Sequence, residues 1–177
     1  LTRLCGGDGH IHHVEEVGTD RRGFEMANIS TASGYATFEA DTREVVQQLM
    51  EAVKPMSEND SYPTDFRWDD DRWPNSEGTR VRVGFVGFGR WAYCENVQWM
   101  PGIVEAQNVP ELERERWSVL WDFSDMESGC DFCSNCKILI EHPAGVPVGQ
   151  STLTVLEDEV YARSTEGHSL LRYPSLY

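Results

Sequence analysis

The chain has 177 residues, 40% of them hydrophobic, which suffices for one domain with a substantial core and is short for two. Fifteen Lys and Arg against thirty Asp and Glu leave a net charge of −15. That field repels phosphate backbones and anionic headgroups, so nucleic acid is excluded as an expected partner. No apolar run approaches the roughly 20 residues of a spanning helix, and membrane insertion is not expected.

Taken in order, Cys5-Gly6-Gly7-Asp8-Gly9 is a turn cluster. Alternation then predicts strands over 10–17 and 24–30, joined by a turn into a hairpin. One main helix is expected over 42–54. Asp41 and Glu44 have capping-box spacing, Val45, Val46, Leu49, Met50 and Val53 form an apolar stripe, and Pro55 ends it.

Residues 55–79 lack periodicity and read as a long irregular loop. Within it Trp68 and Trp73 bracket Asp69-Asp70-Asp71, an acidic solvated turn pinned by two aromatics that become candidate interaction residues. From residue 80 the pattern turns to strands. Val81, Val83 and Phe85 alternate, as do Trp117, Val119, Trp121 and Phe123. Further strands are expected over 137–141 and 151–163, with a helical turn over 111–116 and a terminal segment, 170–177, docked on the body. The expected architecture is a single α+β domain, 1–177, with a twisted antiparallel sheet and one main helix packed on it.

Five cysteines are present: Cys5, Cys94, Cys130, Cys133 and Cys136. The run Cys130-x-x-Cys133-x-x-Cys136 has spacing at which thiolates can converge on a metal, with Cys94 or a His as fourth ligand. No second paired-ligand knuckle exists, so disulfides in which two of these thiols pair with Cys5 and Cys94, or with each other, are the preferred expectation, with metal binding and free thiols as alternatives. His10 and His12 share one face of the first expected strand, and Glu16 is positioned to complete a two-His-one-carboxylate site. Asn28 and Asn59 begin glycosylation sequons. Together with the cysteines and the start at Leu1, they point to an exported, oxidised protein, an intracellular one being the alternative. No nucleophile elbow, phosphate loop or dinucleotide fingerprint is present, and His142 and His168 stand alone.

The spacing His10-x-His12, Glu16, Gly23 resembles the first metal motif of the cupin family. That likeness implies a metal held by those side chains in a jelly-roll barrel. The downstream Pro143-Ala144-Gly145 and Pro147-Val148-Gly149 segments lack the His that the second cupin motif would supply. Residues 36–100 combine a helix after Ala40-Asp41, a Trp-bearing loop and a Gly-rich strand running to Ala92-Tyr93-Cys94. In this they are similar to small secreted effector and killer-toxin-like domains of fungi, which implies a helix on an antiparallel sheet braced by disulfides. The helix of those domains usually carries a Cys, and Thr42 and its neighbours do not supply one.

The expected function is therefore that of a secreted acidic glycoprotein with disulfides. It would act by contact with a protein or other macromolecule, as an effector, toxin-like or structural component, with no cofactor and no catalytic residue identified. Two alternatives are a cupin-type metal enzyme using His10, His12 and Glu16 and an intracellular zinc protein using the cysteine cluster.

Overall fold

A computed structural model describes residues 29–90, 92–127, 132–163 and 170–173. The expected hairpin over 10–30, apart from its last two residues, lies outside them, as do Cys5, His10, His12, Glu16, Asn28, Cys130 and His168. The strands are β1 (Ile29–Ala40), β2 (Thr64–Phe66), β3 (Arg72–Pro74), β4 (Arg80–Arg90), β5 (Trp117–Glu127), β6 (Phe132–His142), β7 (Thr152–Arg163) and β8 (Leu170–Tyr173). The helices are α1 (Arg43–Ala52), α2 (Cys94–Gln98), α3 (Met100–Ala106) and α4 (Pro110–Arg114). All eight strands form one antiparallel sheet in the order β2-β4-β1-β5-β6-β7-β8. β3 follows β2 along the outer edge of β4.

Period-two alternation fixes which side of this sheet is inner. Val81, Val83 and Phe85 of β4 are buried, as are Trp117, Val119, Trp121 and Phe123 of β5 and Ile138 and Ile140 of β6. Three successive inner positions of the strand between β4 and β5, Ala32, Gly34 and Ala36, are small for a steric reason. Ala32 and Ala36 of β1 have no exposed surface, and a Cβ on Gly34 would stand 2.5 Å from the Phe123 backbone. The aromatics of the flanking strands fill the volume that β1 leaves. Phe85 meets Trp121 edge-on at 5.0 Å and Phe66 stands 5.8 Å from Trp121.

The expectation of one main helix on a sheet is corrected here, because the sheet dominates and its inner face is covered by several short helices. α1 does form, and it buries Val45, Val46, Leu49 and Met50 against β1 and β4. Its cap is Thr42, whose hydroxyl accepts from the Val45 amide at 3.3 Å, and not Asp41, which instead meets Arg116 at 3.1 Å. α2 packs on β4 and β6, while α3 and α4 pack on α1. Each of these three helices has five to seven residues, too few for one to carry a core face alone. The long loop is likewise broken up, by a 3-10 turn at Lys54–Glu58 and by β2 and β3.

The expectation of disulfide bonds is also corrected among the described residues, where Cys94, Cys133 and Cys136 are free thiols. Cys133 and Cys136 are not on a turn but inside β6, three residues apart. An odd separation on a strand sends side chains to opposite faces. Cys136 is paired with buried Phe123 and Cys133 with exposed Met126, so the two thiols diverge and can neither bridge nor chelate one ion together.

Candidate binding groove

Among the described residues α2 packs over β6, and β7 beyond it leaves Val155 exposed while Leu153 packs on the core. Val155 pairs with buried Ile138 and so belongs to the inner face, yet it is 56% exposed. A register irregularity between Lys137 and Ile138 sits beside it, where β7 has one extra residue, Leu156, itself half-exposed.

What fixes the wall of this open side is Tyr93, the residue before α2. Its ring lies so close over Gly87 that any Cβ there would overlap it, and it stacks on Phe85 at 5.4 Å. Its backbone N–H donates to Asp125 Oδ2 at 2.7 Å, and its hydroxyl shares a 2.7 Å hydrogen bond with Thr64. Asn96 Nδ2 adds a donation to the Phe88 carbonyl at 2.7 Å. With Tyr93, Asn96 and Val97 turned into the core, Cys94, Glu95, Gln98 and Trp99 form the complementary side of the helix.

These four residues face Cys136, Ile138, Val155 and Asp158 across a recess of about 520 Å³. Trp99 is 51% exposed at its rim. The two thiols lie within it. Burial, reinforced by the carboxylates of Asp125, Asp158 and Glu95, pushes the Cys94 thiol up to about 11. Burial, then Asp158, pushes Cys136 up to about 12, and its sulfur lies 3.7 Å from Asp158 Oδ1. Both are protonated at neutral pH, which makes them a soft, weakly polar floor and not activated nucleophiles.

The remaining candidates are scattered over the fold. Trp68 stacks on Phe66 at 4.7 Å and is half-buried against the core. Trp73 is exposed on the outer face, 5.7 Å from Tyr35, whose ring carries the Arg82 guanidinium at 3.7 Å. Asp71 turns its carboxylate onto Gly84, and no group of three or more metal-ligating side chains occurs among the described residues. Asn59 is exposed, its amide oxygen accepting from the Ser61 and Tyr62 amides in an Asx turn. His142 is buried and stacked on Trp117 at 5.0 Å. Its ring nitrogens contact Ser151 Oγ at 3.2 Å and the Glu113 carbonyl at 3.3 Å, which ties β6 to α4.

Sequence reasoning missed Trp99 and the groove. The signal was the polar face at 94, 95, 98 and 99, opposite Tyr93, Asn96 and Val97, but α2 is too short for that period to stand out. No protein family, curated protein or solved structure matches the chain.

Proposed function

We propose that this protein is a binding module that recognises another macromolecule through the groove between α2 and the β6–β7 pair. The observation that carries this is the half-exposed pair Trp99 and Val155 around a recess that the core residue Ile138 also lines. An exposed indole and an exposed aliphatic side chain beside a cavity provide desolvation energy on contact, the property of interface hot spots. Hydrogen exchange on the full chain with a purified partner tests it. Protection over 94–99 and 136–158 is expected, and protection confined to other elements overturns it.

A second contact surface is favoured by the exposed Trp73 on Tyr35 and Arg82, a cation-aromatic stack of the kind that recurs at interfaces. Trp73→Ala weakening partner binding without altering protection over 94–99 would identify it. Export is proposed from the sequons at Asn28 and Asn59 alone. A mass decrease of native protein on endoglycosidase treatment is expected, and an unglycosylated native chain overturns it.

A further inference from the structure

We propose that the outer face of the sheet binds a neutral saccharide, with a sugar ring on Trp73 and hydroxyls met by Arg82, Asp122, Ser33 and Asn135. This rests on the reading of Trp73, Tyr35 and Arg82 as a contact surface and names the chemistry of what is contacted. It stands apart from the α2–β6–β7 groove. Beside Tyr35 the outer face holds a recess of about 360 Å³. Strand register lays two rows of side chains across it. Tyr35, Asp122, Lys137 and Glu157 are successive cross-strand partners on β1, β5, β6 and β7, and Ser33, Ser124 and Asn135 form the neighbouring row. From Trp73 on β3 to Asn135 on β6 the surface crosses four inter-strand gaps, roughly 19 Å, which is room for a short oligosaccharide lying across the strands.

Charge decides the class of ligand. Among the described residues the charged side chains lining the recess are Arg82, Lys137, Asp122 and Glu157, two of each sign. Lys137 Nζ lies 3.6 Å from Asp122 Oδ2 and 3.3 Å from Glu157 Oε2, and the Arg82 guanidinium is held over the Tyr35 ring. In a chain of net charge −15 this is a locally balanced spot, which favours neither an anion nor a cation. What it offers instead is hydrogen bonding. Arg82 supplies guanidinium donors, Asp122 accepts, and Ser33 does either. Asn135 adds its amide nitrogen, since its Oδ1 already accepts from Ser124 Oγ at 2.7 Å. The lining includes no Val, Leu, Ile or Met to anchor an apolar peptide. A pyranose, with a C–H face for the exposed Trp73 indole and a rim of hydroxyls for the mixed donors and acceptors, uses both parts of this surface.

NMR titration of the full chain, followed at the Trp73 indole N–H with affinities from calorimetry, tests this. Cellohexaose, maltohexaose and chitohexaose are the neutral probes, with deacetylated chitohexaose as the cationic probe and hexagalacturonate as the anionic one. A neutral hexaose is expected to bind tightest, with an affinity that added salt leaves unchanged. Trp73→Ala is expected to weaken it about tenfold and Arg82→Gln about fivefold, the scale of one aromatic contact and one charge-assisted hydrogen bond. Trp99→Ala, which removes the exposed indole of the other site, is expected to leave affinity within about twofold. Equal losses in Trp73→Ala and Trp99→Ala would place the sugar off this face and overturn the proposal. Tighter binding of the cationic or anionic probe would overturn the neutral ligand. No shift at Trp73 with any neutral hexaose would overturn the saccharide, and a protein partner whose binding Trp73→Ala weakens would in that case keep the contact surface. Indifference of both the hexaoses and the partner to Trp73→Ala would overturn the saccharide and the contact surface together.

Discussion

The half of the sheet formed by β4, β1 and β5 and the half formed by β6 and β7 share one inner face but differ in what covers it. Over the first half, helices and aromatics leave Trp121, Phe85 and Tyr93 essentially without exposure. Over the second, cover ends at α2, and Val155 stands in the same layer as Ile138 with more than half its surface open. The apolar surface of Trp121 and Phe85 is closed in the core, while that of Val155 is exposed although its partner Ile138 is buried. The boundary between them is the pair of protonated thiols at Cys94 and Cys136.

Removing packing from the covered half should have the largest effect. Trp121→Ala takes away a side chain in contact with Phe66, Phe85 and Tyr93, and a loss of about 3–5 kcal/mol in chemical denaturation is expected. A loss below 1 kcal/mol would mean that this half is not the core. Adding volume should be nearly as costly. Gly34→Ala puts a Cβ 2.2 Å from the Asp122 carbonyl oxygen and against Phe123, and about 2–3 kcal/mol is expected from the same measurement.

At the boundary the effect is set by pH. A thiol whose folded value lies above the ordinary 9.0 binds more protons folded than unfolded between the two values. Its contribution to stability is therefore complete below pH 9 and declines as pH rises through about 11 for Cys94 and about 12 for Cys136. Native alkylation followed by mass spectrometry should find both slow at pH 8 and accelerating toward those values. Rapid labelling of either at pH 8 would contradict the protonated floor. The smallest effect belongs to the open half: Trp99→Ala and Val155→Ser should each change stability by no more than about 0.5 kcal/mol while abolishing most groove binding. A loss of several kcal/mol on Trp99→Ala would assign that indole to the core.

β4 and β5 were legible because large apolar residues alternate with polar ones across a half-buried sheet. β1 was not, since Thr31-Ala32-Ser33-Gly34 has little hydrophobicity of its own, and Ala32 is buried by what the neighbouring strands bring. The start of β6 misled for another reason. Cys133-Ser134-Asn135-Cys136 has the composition of a turn, yet its backbone pairs with both β5 and β7, and ladder bonding prevailed over local preference. That one override spread Cys133 and Cys136 over two faces. The groove was illegible because Cys94 and Trp99 meet Cys136 and Val155 only after the helices have been laid across the sheet. No local spacing encodes that meeting.

The split outer edge of the sheet has a consequence for behaviour at high concentration. β2 and β3 would form a continuous run along β4 were it not for the excursion at residues 67–71, which places Asp69, Asp70 and Asp71 between them, with Pro63 before one strand and Pro74 in the other. An unprotected edge is a template for pairing with another chain, and short strands, prolines and clustered charge each remove part of that template. A second molecule approaching this edge of the described sheet meets missing amide donors and the exposed carboxylates of Asp69 and Asp70 where a flat ladder would invite it to add a strand, so the edge resists growth into fibrils.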